Sequence, residues 1–193
     1  MPRIAPSIDF SGAAKTDLGH GDRINLEISA ILSRRPEVAT AFGELQAKLR
    51  TSGTLPPRLL ELTRLRIAYH NQCRSCMSIR YQSGLDDGLT EDAVCSLERP
   101  AEAPDLSPAE RSALKFADLF ATNHLAIDDS VYDDLRTHFT EDELVELGVN
   151  CAINVGFGRM VASWAVVDDL PKLNALADGR FAPWNSDSVA ASG

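Results

Sequence analysis

Apolar residues recur at intervals of three and four along almost the whole chain after residue 24, and this spacing constrains the fold most strongly. An α-helix needs that spacing to keep one face apolar, whereas a half-buried strand needs sustained alternation, which no run in the sequence shows. The sequence therefore predicts an all-α fold, with its helices packed as a compact bundle. The predicted helices span 24–33, 36–50, 57–70, 73–83, 90–97, 108–122, 129–137 and 141–168.

Two helix starts are marked by complete capping boxes. Ser107 and Glu110 stand three residues apart around Pro108, which suits the first helical position because proline lacks the amide hydrogen. Thr140 and Glu143 repeat the spacing before the longest apolar stretch. We therefore expect helices to begin directly after positions 107 and 140, with the proline-rich segment 99–108 as a linker between two helical groups.

The length of 193 residues suits a single domain with one hydrophobic core. The predicted division is an irregular N-terminal arm over 1–23, one helical domain over 24–176 and a C-terminal tail over 177–193. The tail carries Phe181 and Trp184, which are aromatic residues of the kind that dock on a neighbouring chain.

The charge balance narrows the range of partners. With 19 basic and 28 acidic residues the chain has a formal charge of −9, which repels nucleic acid and anionic membrane surfaces alike. Residues 149–167 are apolar enough to suggest a membrane span, but Arg159 and two asparagines within them favour a buried helix. The N-terminus lacks the apolar core of a secretory signal, and the sparse cysteines suit a reducing compartment, so we expect a cytoplasmic protein.

A pair of cysteines three residues apart, Cys73 and Cys76, is the strongest candidate for chemistry. Asn71 is a competent N-cap, so we expect a helix break there, with Cys73 in the first turn of the next helix and both sulfurs on one face. The free amide groups of a first turn favour thiolate over thiol. Such a pair supports redox chemistry, because one thiolate attacks an oxidant and its neighbour resolves the product.

Three further side chains are candidates for assisting the cysteines. Arg80 follows Cys76 by four residues, so on a continuous helix it shares the same face and lowers the thiol pKa; otherwise it is a surface arginine. Glu61 precedes Cys73 by twelve residues and either faces the sulfurs from a packed helix or lies solvated among nearby arginines. His70 is a candidate base, or an ordinary partly buried histidine.

Two rival uses of the cysteine pair are weaker. The spacing of Cys73 and Cys76 matches a zinc knuckle, and His70 is a conceivable third ligand, but a structural site needs four ligands and no second pair exists. Cys95 and Cys151 lie apart in apolar patterns and are expected to be buried. A purely structural disulfide across so short a loop removes little chain entropy. We therefore predict neither a metal nor a bound cofactor.

Glu61, eleven intervening residues and then Cys73-Arg74-Ser75-Cys76 resemble the signature of the carboxymuconolactone decarboxylase and AhpD-like alkylhydroperoxidase superfamily. The similarity extends from about residue 36 to about residue 170. The resemblance implies an AhpD-like all-helical subunit that assembles into homo-oligomers, often trimers or their multiples. It also implies that Cys76 attacks hydroperoxide, Cys73 resolves the sulfenic acid and Glu61 serves in a proton relay.

The sequence departs from the peroxidase branch of that superfamily at two positions. Arg80 and Ser75 occupy places where the branch usually has histidines. Arginine stabilises a thiolate but does not exchange a proton near neutral pH, so the usual relay is incomplete. The decarboxylase branch generally lacks the cysteine pair, and its presence here argues against decarboxylation of a ring acid.

These observations together predict a thiol-dependent oxidoreductase that reduces a hydroperoxide or exchanges disulfides, with electrons from an external dithiol. Two alternatives stay open at this point. One is a non-redox enzyme on the same scaffold, in which Glu61 or His70 acts as acid or base on a small organic acid or lactone. The other is a ligand-binding or interaction protein whose cysteines are vestigial.

Overall fold

The structure is a computed structural model that describes residues 2–7, 18–166, 170, 173–186 and 189–193. This part of the chain is mostly helical, as the apolar spacing predicts. Its helices are α1 (His20–Leu32), α2 (Pro36–Ser52), α3 (Pro57–Asn71), α4 (Arg74–Ser78), α5 (Gln82–Asp86), α6 (Glu91–Cys95), α7 (Pro108–Thr122), α8 (Asp129–Arg136) and α9 (Glu141–Trp164). Its strands are β1 (Ile79–Tyr81), β2 (Leu173–Ala175), β3 (Phe181–Ser186) and β4 (Ala190–Ser192).

Helix α3 lies at the centre of the fold and is apolar on more than one side. Leu59 and Ile67 pack in the cluster that α7 and α9 share, which includes Leu147 of α9. Leu62 and Leu65 face the opposite way, toward α6 and the segment that follows it. Because neighbours cover α3 on several faces, polar side chains on this helix are also drawn into the interior.

Both predicted capping boxes are confirmed. The Ser107 hydroxyl accepts the Glu110 amide at 3.2 Å, and the Glu110 carboxylate accepts the Ser107 amide at 2.7 Å. Thr140 and Glu143 form the same reciprocal pair at the start of α9. Each box satisfies amide groups that the first helical turn leaves without partners, which is why α7 and α9 begin where the sequence indicates.

The single helix predicted over 73–83 is wrong. Helix α4 ends at Ser78, the next three residues form β1, and α5 follows. Strand β1 pairs in parallel with β4, so that Ile79 lies opposite Ala190. A pairing partner more than a hundred residues away leaves no trace in the local spacing of apolar residues, and helical periodicity therefore missed this break.

The C-terminal tail predicted over 177–193 contains strands β3 and β4 in its described residues. Strands β2 and β3 form an antiparallel hairpin whose turn contains Gly179 at φ 82°, a conformation that glycine adopts without strain. Trp184 of β3 packs on Tyr69 of α3 with ring centroids 4.7 Å apart. The aromatic residues expected to dock on a neighbouring chain therefore dock on their own chain.

The N-terminal end is partly described. Helix α1 begins at His20, inside the arm predicted over 1–23, and residues 8–17 of that arm lie outside the described part of the chain. Backbone hydrogen bonds attach the stretch before them to the fold: the Arg3 amide donates to the Trp164 carbonyl at 2.7 Å, and the Ser7 amide to the Ala30 carbonyl at 2.9 Å.

Helix α9 is long and apolar enough to cross a membrane, judged by length and composition alone. One of its faces packs into the core through Leu147 and Cys151. Its other face is open in the single chain, where Val145 is 68% exposed. The buried helix predicted for this stretch is therefore buried on one side only.

Candidate active site

The turn that leads into the cysteine pair is a Schellman motif at the end of α3. The Cys73 amide donates to the Ala68 carbonyl and the Gln72 amide to the Tyr69 carbonyl, each at 3.1 Å. Gln72 adopts the left-handed conformation, with φ 51° and ψ 36°. Residues other than glycine rarely adopt this conformation because it costs free energy. Strained residues of this kind often occur at functional sites.

Cys73, rather than Asn71, caps the helix that carries the second cysteine. Its sulfur accepts the Cys76 amide at 3.4 Å, which sets the register of the five-residue α4. Asn71 remains inside α3, and its side-chain amide donates to the Asn154 carbonyl at 2.9 Å. The predicted helix break is thus confirmed, but the N-cap of the next helix lies two residues later than predicted, because the left-handed Gln72 comes between α3 and the capping Cys73.

Cys73 and Cys76 are joined by a disulfide, with their Cα atoms 5.2 Å apart. The two positions are unequally accessible. Cys73 is 0% exposed and packs among apolar residues of α1 and α9, including Ile24 and Val161, whereas Cys76 is partly exposed. The buried Ser75 hydroxyl lies 3.5 Å from the Cys73 sulfur and is its hydrogen-bond donor in the disulfide state. Of the two cysteines, Cys76 is therefore the one that presents surface to solvent.

Glu61 is buried beside this helix and is ion-paired. Its side chain is 4% exposed, and its carboxylate accepts Nε of Arg64 at 2.6 Å and Nη2 of Arg64 at 2.7 Å. The Tyr81 amide donates to the same carboxylate at 2.9 Å. Gly84 of α5 lies directly over Glu61, so closely that an added Cβ would stand 2.9 Å from the Glu61 Cβ. The missing side chain at Gly84 lets α5 close over the ion pair.

Arg64 connects Glu61 to the backbone of α4 and β1. Its Nη1 donates to the Cys76 carbonyl and its Nη2 to the Ile79 carbonyl, both at 2.8 Å. Burial acts to lower the pKa of Arg64, but the charge and hydrogen bonds of Glu61 outweigh burial and raise it, so the guanidinium stays protonated. Glu61 is therefore linked to the Cys76 carbonyl through Arg64, and its burial rules out the alternative of a solvated glutamate.

Arg80 lies on β1, so the argument that placed it on the helical face of Cys76 is wrong. Its side chain is 1% exposed and pairs with Glu91 through Nε at 2.9 Å and Nη2 at 3.1 Å. The guanidinium also donates to the Met77 carbonyl at 2.7 Å and to the Pro183 carbonyl at 3.0 Å. These contacts tie the end of α4 to α6 and β3, and give Arg80 a visible structural function.

His70 faces α7. Its Nε2 lies 2.6 Å from Oδ1 of Asp118, and Arg66 binds both oxygens of the same carboxylate at 2.6 and 3.1 Å. Burial acts to raise the pKa of Asp118, but the hydrogen bonds from His70 and Arg66 outweigh burial and lower it. The candidate base is thus engaged in an ion cluster between two helices.

The remaining cysteines differ from each other. Cys151 is buried on α9, and burial raises the pKa of its thiol to about 12. Cys95 is exposed at the end of α6, contrary to the expectation that both would be buried. Within the described ranges, no group of three or more histidine, cysteine, aspartate or glutamate side chains converges as a metal site would require.

Sequence reasoning missed two arginines. Arg64 follows Glu61 by three residues, a spacing that brings side chains together on a helix and could have identified the pair. Arg74, between the cysteines, stacks on the ring of Phe181, its guanidinium carbon 4.7 Å from the ring centroid. No sequence signal indicates that contact, because Phe181 arrives from β3, far along the chain.

Comparison with known proteins gives a family match over the region that carries this site. The model of the carboxymuconolactone decarboxylase family matches residues 36–119, which include Glu61 and both cysteines of the disulfide. Uncharacterized protein Rv2313c of Mycobacterium tuberculosis is 34% identical over 149 residues, which are 76% of this chain and 50% of that protein. The chain thus spans about half the length of the curated relatives it matches.

Solved structures share the fold. The crystal structure of ATU0492 from Agrobacterium tumefaciens, a protein of unknown function with a suggested AhpD-type role in antioxidant defence, matches with a TM-score of 0.59 at 24% identity, covering 68% of this chain and 90% of that one. A variant of the debrominase Bmp8, in complex with 2,3,4-tribromopyrrole, matches with a TM-score of 0.65 at 17% identity, covering 86% of this chain and 92% of that one.

The family match, the shared helical fold and the spacing of Glu61 from the Cys73–Cys76 disulfide agree with one another. Residues 36–119 of this chain match the carboxymuconolactone decarboxylase family, and the chain shares its fold with the AhpD-type protein ATU0492.

Proposed function

We propose that this chain is a thiol-dependent oxidoreductase that reduces a hydroperoxide, or exchanges disulfides, through Cys76 and Cys73. The observation that carries the proposal is the asymmetry of the disulfide: Cys76 is partly exposed, and Cys73 is buried directly beside it. An attacking thiol must be reachable by its substrate, and a resolving thiol only needs to reach its neighbour.

The proposed reaction consumes one hydroperoxide and oxidises one dithiol. The Cys76 thiolate attacks the terminal peroxide oxygen, the O–O bond breaks, and the alkoxide takes a proton and leaves as an alcohol. The Cys73 thiol then attacks the resulting Cys76 sulfenic acid, which forms the disulfide and releases water. An external dithiol reduces the disulfide by exchange and is itself oxidised, which returns both cysteines to the thiol state.

Glu61 and Arg64 act in this scheme as positioning residues. Arg64 binds the Cys76 carbonyl, and the Glu61 carboxylate holds the guanidinium in place from a buried position. Arg80 is engaged by Glu91 and backbone carbonyls, and the Ser75 hydroxyl lies against the Cys73 sulfur, so we assign the proton taken up by the alkoxide to solvent beside the partly exposed Cys76. This arrangement predicts slower peroxide reduction than a complete histidine relay would give.

The proposal includes a reducing partner and further copies of the chain. An external dithiol is required for turnover, and the cytoplasm supplies such donors.

Helix α2 has no buried residue in the single chain, and its Val38 and Leu45 are exposed, as is Val145 of α9. Apolar helix faces left open in this way fit a homo-oligomer, a trimer or a multiple of it.

Thiol counting with one substrate equivalent tests the redox proposal. The reduced protein is titrated for thiols before and after addition of one equivalent of hydroperoxide, and mass spectrometry locates the new bridge. We expect the loss of two thiols and a bridge between Cys73 and Cys76, and we expect Cys76→Ser to abolish both. Cys151→Ser is the matched control and should behave as the unchanged protein, because Cys151 is buried elsewhere on α9.

The same variants separate the alternatives. Native thiols that survive both hydroperoxide and small disulfides would reject the redox proposal. A non-redox enzyme on this scaffold would keep its turnover in Cys76→Ser and lose it in Glu61→Gln. A ligand-binding protein would keep its affinity in both variants. Light scattering of the purified chain tests the homo-oligomer, and a monomer at micromolar concentration would reject that part.

A further inference from the structure

We propose that Arg74 is an anion-recognition residue at the dithiol, which selects substrates that carry a carboxylate near the bond attacked by Cys76. The inference rests on the proposed function in that Cys76 is the reacting residue. It adds the substrate class, which that function leaves open: an organic hydroperoxide or disulfide with a carboxylate.

The guanidinium of Arg74 is partly buried and lacks an anionic partner in the described part of the chain. Its Nε is buried without a hydrogen-bond partner, while its guanidinium carbon lies 4.7 Å from the Phe181 ring centroid. The half-buried Arg58, Arg64 and Arg66 each bind a carboxylate in this chain. Among the arginines in the described ranges, Arg74 is the one with a buried guanidinium nitrogen left without a hydrogen-bond partner, and in the sequence it stands between the two cysteines.

The Phe181 ring, which serves as the platform under the Arg74 guanidinium, is held in place by several contacts. The Gln72 side-chain amide donates to the Phe181 carbonyl at 3.1 Å and accepts the Phe181 amide at 2.9 Å. The same side chain donates to the Tyr69 carbonyl at 2.6 Å. Gln72 thus fixes the strand that presents the ring, which gives a reason for its left-handed backbone at this turn. The Phe181 ring in turn holds the guanidinium in one orientation before a ligand arrives.

The chemistry of this arrangement favours a carboxylate. A guanidinium stacked on a ring keeps its edge free, and that edge matches the two oxygens of a planar carboxylate. The buried Nε is closed to a ligand, so a carboxylate would bind the terminal nitrogens and supply the anion that the guanidinium charge lacks in the described part of the chain. The whole chain has a net charge of −9, so its overall field repels anions, and local recognition at Arg74 has to provide the preference.

Two alkylating reagents that differ mainly in charge test this inference without using peroxide. Iodoacetate carries a carboxylate and iodoacetamide does not; with both, the Cys76 thiolate forms a C–S bond and iodide leaves. The reduced protein is studied in a Cys95→Ser background, since Cys95 is exposed. Peptide mapping gives the rate at Cys76. We expect Arg74→Gln to lower the ratio of the iodoacetate rate to the iodoacetamide rate about tenfold.

Two further variants keep the test falsifiable. Phe181→Leu retains the charge but removes the platform, and should lower the same ratio by a smaller factor. Arg180→Gln is the matched control, because Arg180 also lies over a ring, that of Tyr69 at 4.8 Å, but is exposed and paired with Asp178. An unchanged ratio in Arg74→Gln, an equal fall in Arg180→Gln, or a change of oligomer mass in Arg74→Gln would each overturn the inference.

A second measurement separates this inference from the proposed function. The rate of hydroperoxide consumption is compared for a fatty-acid hydroperoxide and its methyl ester. If the charge preference appears with the alkylating reagents but neither hydroperoxide is consumed, the peroxide reaction fails and the role of Arg74 stands. If both hydroperoxides are consumed equally fast and the alkylation ratio does not respond to Arg74→Gln, the role of Arg74 fails alone.

Discussion

Helix α3 carries two arginine–carboxylate clusters of similar chemistry that contact different parts of the molecule. The dithiol-side cluster is Glu61 and Arg64, and the α7-side cluster is Arg66, His70 and Asp118. In both, one arginine binds both oxygens of a carboxylate, with the shortest contact at 2.6 Å. In both, the arginine also donates to a backbone carbonyl outside α3.

The carbonyl that each arginine reaches decides what its cluster does. Arg64 donates to the carbonyl of Cys76, so its ion pair supports the helix that carries the partly exposed cysteine. Arg66 donates to the carbonyl of Leu97, so its ion pair fastens α3 to α7 and to the segment after α6. Similar side-chain chemistry therefore gives one cluster beside the Cys73–Cys76 disulfide and one cluster that holds helices together.

Removing the negative charge of the dithiol-side cluster should have the largest effect. Glu61→Gln leaves the buried guanidinium of Arg64 without its anion, which we expect to cost about 3 kcal/mol of unfolding free energy. The Cys76 carbonyl loses a fixed donor, so the rate of hydroperoxide consumption should fall about tenfold. Urea unfolding and a stopped-flow peroxide assay measure the two effects.

A matched control for that variant is Glu102→Gln, which removes an exposed pair at the same three-residue spacing. Arg99 lies 3.8 Å from Glu102 at the surface, so the unfolding free energy should change by less than about 0.5 kcal/mol. If Glu61→Gln lost stability but kept full Cys76 reactivity, the dithiol-side cluster would have no influence on the chemistry.

The α7-side cluster should affect stability alone. Asp118→Asn deprives Arg66 and His70 of their shared anion, and we expect a loss of about 2 kcal/mol because this cluster is less deeply buried. The rate at Cys76 should stay within a factor of about two. Asp133→Asn, which removes an exposed partner of Arg136, controls for loss of surface charge. A large fall in Cys76 reactivity on Asp118→Asn would erase the distinction between the clusters.

The stability that Asp118 contributes should depend on pH in a defined direction. Its pKa in the folded protein is lowered from the ordinary value of 3.8, so the contribution is fully present above 3.8. As the pH falls below 3.8, the unfolded chain takes up the proton first, and the contribution disappears once the folded carboxylate is also protonated. The difference in unfolding free energy between the unchanged protein and Asp118→Asn should therefore shrink on acidification, and a constant difference would contradict this.

The smallest effect concerns the cysteines outside the pair. In the oxidised native protein a neutral maleimide should label Cys95, which is exposed, although burial and the charges of Glu91 and Asp92 raise its pKa and slow the reaction. Cys151, with its pKa raised to about 12 by burial, should react only after unfolding. Mass spectrometry distinguishes the two sites, and rapid native labelling of Cys151 would show that α9 opens readily.

The parts of the fold and site that were predictable depend on neighbours in the sequence. The start of α7 follows from Ser107 and Glu110, which satisfy the open amides of their own helix. The Cys73–Cys76 pair is close in space because three residues of chain bring two sulfurs together. Interactions of this kind need no distant partner, and sequence reasoning therefore recovers them.

The parts that were missed depend on residues that arrive from far along the chain. Arg80 was predicted on a helix, but β4 pairs with its segment and makes it a strand. Trp184 was predicted to dock on a neighbouring chain, but the β2–β3 hairpin places it on Tyr69 of the same chain. Backbone pairing and ring stacking across such separations are set by how the whole chain packs, which local periodicity does not record.

By itself the sequence determined that this chain is mainly helical and that Glu61 precedes the Cys73–Cys76 pair at a spacing that resembles the AhpD-like signature. Tertiary structure alone decided that Glu61 reaches Cys76 through Arg64, that Arg80 and His70 serve other contacts, and that Arg74 rests on Phe181. The physical reason is that helical spacing and caps are short-range, whereas the partner of a buried charge is whichever group the folded chain brings within hydrogen-bonding distance.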